Sequence, residues 1–149
     1  MTNRHKVLFA VYLVLIKDGK VLLARRANTG YMDGKFSLPS GHVESKEGAI
    51  SAMIREVKEE TGLTLSKENL ELAHTMHRNI EPDDRQGYEY VDLYFLGKNW
   101  QGEPENKEPE KCSELTWFNV DNLPDEIIPE VRQALLKINK GANYSEFKF

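Results

Sequence analysis

Residues 41–63 read GHVESKEGAISAMIREVKEETGL. Ile50, Met53, Ile54 and Val57 recur at helical spacing, Ser45 stands where an N-cap belongs, and Gly62 lies just past the end, so the spacing predicts a helix over 46–61. Glu56, Glu59 and Glu60 are related as i, i+3 and i+4, which places three carboxylates on one helix face. Such a face is ordinarily just solvated. The flanks favour a different reading. A Pro39-Ser40-Gly41 turn precedes the helix, and Glu47, eight residues before Arg55, lies about two turns away and near enough in angle to pair with it. Hard divalent ions such as Mg²⁺ select carboxylate, carbonyl and water oxygens, and a carboxylate trio beside a glycine turn supplies them.

Working outward, the apolar run 7–16 and the second stretch 21–24 flank Asp18-Gly19, which reads as two strands around a tight turn. The run follows Arg4 and Lys6 as a secretion signal would, but it lacks the small-residue cleavage pattern and is too short to span a bilayer as a helix. Turn chemistry in 25–35 marks a loop, and 36–38 a short strand stopped by Pro39 and Gly41. Strands are expected over 70–77 and 88–96, with 102–111 as a solvated loop. A last strand over 115–120 and a helix opened by Pro129 and ended near Gly141 complete the chain. Neither repeats nor a linker divide it, so 1–149 is expected to form one domain.

The 149 residues suffice for one buried core, and 40% hydrophobic with 30% charged residues describes an ordinary globular protein. A formal charge of −4 with no basic stripe disfavours nucleic acid as a partner. An acidic protein acting on an anionic substrate needs cations at its site. One cysteine, Cys112, makes no internal disulfide, which fits a reducing, cytoplasmic setting. No membrane association is expected, and a homodimer is left open.

The central stretch resembles the signature of the Nudix hydrolases: Gly41, Glu47, Arg55, Glu56, Val57, Glu59, Glu60, Gly62 and Leu63 meet it without departure. A chance match in a chain of this length is on the order of 10⁻⁷ at ordinary residue usage. The opening hairpin, 115–118 and the Asp121-Asn122-Leu123-Pro124 turn extend the likeness over most of the chain. The resemblance implies an α/β/α sandwich around a mixed sheet, with the box as a loop–helix–loop. It also implies Mg²⁺-dependent hydrolysis, with Mn²⁺ able to substitute, of a diphosphate linkage in a nucleotide-like small molecule.

Carried over by that resemblance, Glu56, Glu59 and Glu60 ligate the metal together with the Gly41 carbonyl, and Glu47 and Arg55 orient the helix. One of the trio, Glu59 among them, is open as the general base; so is a carboxylate outside the box, for which Glu81, Asp83 and Asp84 are the candidates against the plainer reading of a solvated loop. Ser40 stands where many relatives carry a second glycine, which raises a question about the turn. His42 is expected to make ordinary hydrogen bonds, and His74 and His77 to lie on opposite strand faces, which argues against a joint metal site. Tyr88, Tyr90 and Trp117 are read as packing residues, with stacking on a base as the alternative. Some subfamilies carry a proline or a tyrosine at set distances after the box, marking ADP-ribose or dinucleoside polyphosphate enzymes; Pro82 and Tyr88 stand at neither distance. The small chain then points to a MutT-like reaction, nucleoside triphosphate to monophosphate and pyrophosphate. The alternatives are hydrolysis of another nucleoside diphosphate derivative, such as ADP-ribose, a nucleotide sugar or a dinucleoside polyphosphate, and a non-catalytic nucleotide sensor.

Overall fold

The apolar run near the N-terminus becomes strand β1, Leu8–Val14. Ala10, Tyr12 and Val14 point to one face and Val11 and Leu13 to the other, so both faces need cover. The computed structural model describes residues 3–80 and 88–149; Glu81, Pro82, Asp83 and Asp84 lie outside the described residues. Within it β1 pairs antiparallel with β5, Ser40–His42, and parallel with β7, Glu89–Gly97. Strand β6, Leu70–Asn79, and β9, Tyr144–Phe147, extend this mixed sheet in the order β5-β1-β7-β6-β9.

A second sheet is built on β3, Lys20–Arg26, which pairs with β2, Ile16–Lys17, with β4, Phe36–Ser37, and with β8, Cys112–Asn119. The Asp18-Gly19 turn joins β2 to β3 with φ of 54° and 74°, as a tight hairpin requires. The expected partner of β3 was the whole run 7–16. Instead the chain crosses between sheets at Leu15, and of that run only the short β2 pairs with β3.

Helix α1, Ala49–Thr61, sets Ala52, Met53 and Val57 against Val11, Leu13, Leu22 and Phe95. Helix α2, Pro129–Asn139, sets Val131 and Ala134 against Val14, Leu23, Leu38, Met76 and Tyr94. The result is an α/β sandwich with a mixed sheet, held by apolar side chains that each contribute about 1.5–3 kcal/mol when fully buried.

Three local expectations need correction. Helix α1 starts at Ala49 and not at Lys46: its N-cap is Gly48, without a side-chain cap, because Lys46 takes φ 64° in a Glu44–Glu47 turn. Residues 40–42 form an edge strand where a turn was expected, since their backbone pairs with β1, and Ser40 does not adopt positive φ. Strand β9 was missed altogether. It is too short to show a period, and it is held by parallel pairing with β6 and by Ser145, whose hydroxyl meets His74 Nε2 at 2.8 Å.

Candidate active site

Arg55 organises the α1 end of the site. Its Nε donates to Glu47 Oε2 at 2.8 Å and its Nη2 to Glu47 Oε1 at 3.0 Å, the two-pronged pairing that suits a guanidinium and a carboxylate. The expected pair therefore exists, by a different route: Glu47 sits outside the helix in the Glu44–Glu47 turn, where the Glu44 N–H also donates to its Oε1 at 3.0 Å. Hydrogen bonds from Arg55, then from the Glu44 backbone, lower the Glu47 pKa to about 2. Arg55 Nη1 also donates to Glu56 Oε1 at 2.8 Å and lies 3.7 Å from Glu59 Oε2, and Nη2 reaches the His42 carbonyl at 3.2 Å.

Gly41 lies under the Glu56 side chain. A Cβ there would run into the Glu56 carboxyl group, so a larger residue would have to push that side chain aside from where it lies across β5. The Ser40 N–H donates to Glu60 Oε2 at 3.0 Å, so the residue that raised a doubt in the turn supplies a backbone hydrogen bond to a site carboxylate. Burial, then the charge of Glu56, pushes the Glu60 carboxyl well above the usual range, and burial likewise raises Glu56.

A fourth carboxylate arrives from the loop expected to be only solvated. Glu105 N–H donates to the Thr61 carbonyl at 2.9 Å and Lys107 N–H to the Glu60 carbonyl at 3.1 Å, which satisfies groups left open at the C-terminal end of α1. That docking brings Glu108 to the same cavity wall as Glu56 and Glu60, whose pKa values it helps to raise. Nothing in its local sequence distinguishes Glu108 from the other acids of that loop.

These groups line one cavity of about 660 Å³. Glu56, Glu59, Glu60, Gly41, Glu44 and Arg55 reach it from the box. The cations that an anionic substrate needs come from elsewhere: Arg25 and Arg26 from β3, Lys111 from the docked loop and Arg78 from β6. Arg26 is held by the Tyr31 carbonyl at 2.7 Å and the Thr29 hydroxyl at 3.0 Å. His42 and Tyr90 line the cavity and share a hydrogen bond of 2.9 Å. Trp117 stacks on Trp100 at 6.1 Å beside the α1-side core, Tyr88 is exposed, and His74 faces the buried side of β6 from which His77 points away.

The oxygen donors fit a hard divalent ion in kind. Glu60 is partly buried and accepts a single N–H, which leaves its charge poorly compensated without a cation. Among the described residues, however, no three acidic, imidazole or thiol side chains are gathered into one ligating cluster. Arg55 draws Glu56 to itself and the Glu59 side chain is 50% exposed. Convergence on an ion therefore requires side-chain rotation.

A family model described as the NUDIX domain matches residues 5–137. The chain is 30% identical over 122 residues to a protein of Escherichia coli K12 named 8-oxo-dGTP diphosphatase, covering 80% of this chain and 88% of that protein. It is 34% identical over 116 residues to a Methanocaldococcus jannaschii protein named ADP-ribose pyrophosphatase, covering 77% of this chain and 63% of that one. The crystal structure of a MutT NUDIX hydrolase from Burkholderia pseudomallei superposes with a TM-score of 0.78 at 27% identity, over 89% of this chain and 98% of the other. With the family model spanning most of its length and the signature carboxylates on one cavity wall, the chain belongs to the Nudix hydrolase family.

Proposed function

We propose that this protein hydrolyses a diphosphate linkage in a nucleotide-like substrate with Mg²⁺ as cofactor and Mn²⁺ as a substitute, and that the substrate is a nucleoside or deoxynucleoside triphosphate cut to monophosphate and pyrophosphate. The observation that carries this reading is the pairing, in one cavity, of Glu56, Glu59, Glu60 and Glu108 with the cations Arg25, Arg26 and Lys111. Relatives named as a diphosphatase and a pyrophosphatase support the reaction class.

Glu56 and Glu60, with the Gly41 carbonyl, would hold the metal ion, joined by Glu59. Bound there, the ion supplies neutralisation of the phosphate oxygens and acidification of water. Arg25, Arg26 and Lys111 grip the polyphosphate, an Arg fork matching two phosphate oxygens at once. The water oxygen bonds to one phosphorus, the bridging P–O bond breaks, and pyrophosphate departs. The proton goes to a carboxylate free to accept it. Glu56 is held by Arg55 and Glu60 by Ser40, which leaves Glu59 and Glu108 for that task. Arg55 and Glu47 position the others.

The test is a panel of nucleoside triphosphates, ADP-ribose, nucleotide sugars and dinucleoside polyphosphates, with phosphate release coupled to a phosphatase and read with Mg²⁺, with Mn²⁺ and in excess EDTA. The proposal expects triphosphates to be cut best and EDTA to abolish turnover. Binding without hydrolysis across the panel would put the sensor reading ahead.

A further inference from the structure

We propose that Asp33, which stands outside the cavity, is a positioning residue that sets Arg26 for its grip on the substrate's phosphates by holding the hydroxyl of Thr29; this rests on reading Arg26 as a phosphate-binding group. Arg26 ends β3 and lines the cavity, and its charge also acts on Glu60. Asp33 is exposed in the 27–35 loop between β3 and β4 and lines no part of the cavity. Apart from its charge, Asp33 can reach the substrate only through a neighbour.

The loop needs something to hold it. Asn28, Gly30, Met32 and Gly34 take φ of 55°, 81°, 51° and 87°, and outside glycine such a backbone persists only where its surroundings enforce it. The Asp33 carboxylate is the hub. Oδ1 accepts the Thr29 hydroxyl at 2.5 Å and the Thr29 N–H at 3.1 Å, and Oδ2 accepts the Gly30 N–H at 3.0 Å. The bond from the Thr29 hydroxyl, then that from the Gly30 N–H, holds the Asp33 carboxyl below its usual range, so it is an anion at neutral pH.

That carboxylate fixes the direction of one proton. A hydroxyl has one donor and two acceptor lone pairs. With its proton on Asp33, Thr29 Oγ1 accepts from Arg26 Nη2 at 3.0 Å and from the Tyr31 N–H at 3.2 Å. Without Asp33 the proton turns to the Tyr31 carbonyl 3.0 Å away, which already accepts Arg26 Nε at 2.7 Å. The intact loop thus pins the guanidinium at Nε and Nη2, and the ordering cost that a long side chain otherwise incurs on binding is met in advance. Nη1 and the second N–H of Nη2 make no hydrogen bond among the described residues and are left for phosphate oxygens. Charge alone predicts the opposite sign. Asp33 is an anion beside an anion-binding group, so removing it would tighten phosphate binding if its field were all that mattered. Positioning predicts weaker binding.

The experiment measures binding of inorganic pyrophosphate, with Mg²⁺ present, to the full chain by calorimetry, beside kcat and KM for the nucleoside triphosphate cut best. Arg26→Ala is expected to weaken pyrophosphate binding by about tenfold or more, as loss of charged hydrogen bonds does. Asp33→Ala and Thr29→Val should weaken it by about three- to tenfold, the scale of ordering one long side chain. Asp33→Ala should raise KM and leave kcat within about twofold, because the grip on phosphate is shared by bound substrate and transition state. Thr29→Ser keeps the hydroxyl and should bind as the unaltered protein does. In the Arg26→Ala background, Asp33→Ala should change binding no further, since the group it positions is gone. Should Asp33→Ala not fold, Thr29→Val against Thr29→Ser decides. Unchanged or tighter binding in Asp33→Ala, an equal loss in both backgrounds, or no pyrophosphate binding by the unaltered chain overturns the proposal. Pyrophosphate binding with the expected losses but no nucleotide cut would leave the role of Asp33 standing while the hydrolase reading falls.

Discussion

Of the arginines that line the cavity, Arg55 and Arg78 are each surrounded by carboxylates, and they do opposite things. Arg55, 29% exposed, joins Glu47, Glu56 and Glu59, drawn from a turn and one helix. Arg78, 5% exposed, joins Asp92 and Glu130, drawn from a neighbouring strand and the far helix. The first group is held by local geometry and is wet enough for side chains to rearrange around a metal. In the second, burial pushes the carboxyl groups of Asp92 and Glu130 upward, and the ion pair resists change because either partner left alone would be a buried charge. One set is suited to chemistry and the other to shape, which gives the contrast measurable consequences.

The largest concerns Glu60. Replacing it by Gln should lower turnover by on the order of 10²–10³-fold, the scale on which removal of one charge-stabilising group acts, while the fold survives. Magnesium should also raise the melting temperature of Glu60→Gln less than that of the unaltered protein. Near-normal turnover with an unaltered magnesium shift would mean that the α1 carboxylates are only a solvated face.

Asp92→Ala should behave the other way, costing about 3–5 kcal/mol of stability by stranding the Arg78 charge. Chemical denaturation measures it, and a loss under about 1 kcal/mol would erase the distinction between the two groups.

A smaller effect is expected for Arg55→Ala, about a tenfold loss of kcat, since displaced carboxylates act less well while remaining present. The reading to compare is magnesium affinity, which should largely persist. An unchanged kcat would remove Arg55 from the positioning role.

The smallest effect is a pH drift. Glu56, Glu60, Asp92 and Glu130 all have folded pKa values raised first by burial, so the folded chain binds more protons than the unfolded one above about pH 4.5. Without metal, melting temperature should therefore climb as pH falls from 8 toward 5. Glu47 works in the opposite direction only below that window, losing its contribution as pH falls from 4.5 through about 2. Magnesium should flatten the α1 share of the climb and leave the Asp92 share. The test compares Glu60→Gln with Asp92→Asn, each with and without Mg²⁺; equal flattening in both would merge the two regions.

The parts whose logic is local are legible in the chain: the helical phase that aligns Glu56, Glu59 and Glu60, the left-handed stop at Gly62, the Asp18-Gly19 turn and the two-faced apolar run of β1. Their spacing lies within a few residues, so periodicity and turn chemistry reveal them. The remaining relations arise where distant segments meet. Gly41 lies under the Glu56 side chain of another element, and Glu108 enters the site because its loop docks on the carbonyls of α1. The Arg78 cluster joins three elements distant in the chain, and β9 is stabilised by a partner it meets only after folding. Burial creates these relations, and burial depends on which surfaces finally meet, a property that spacing along a chain does not carry.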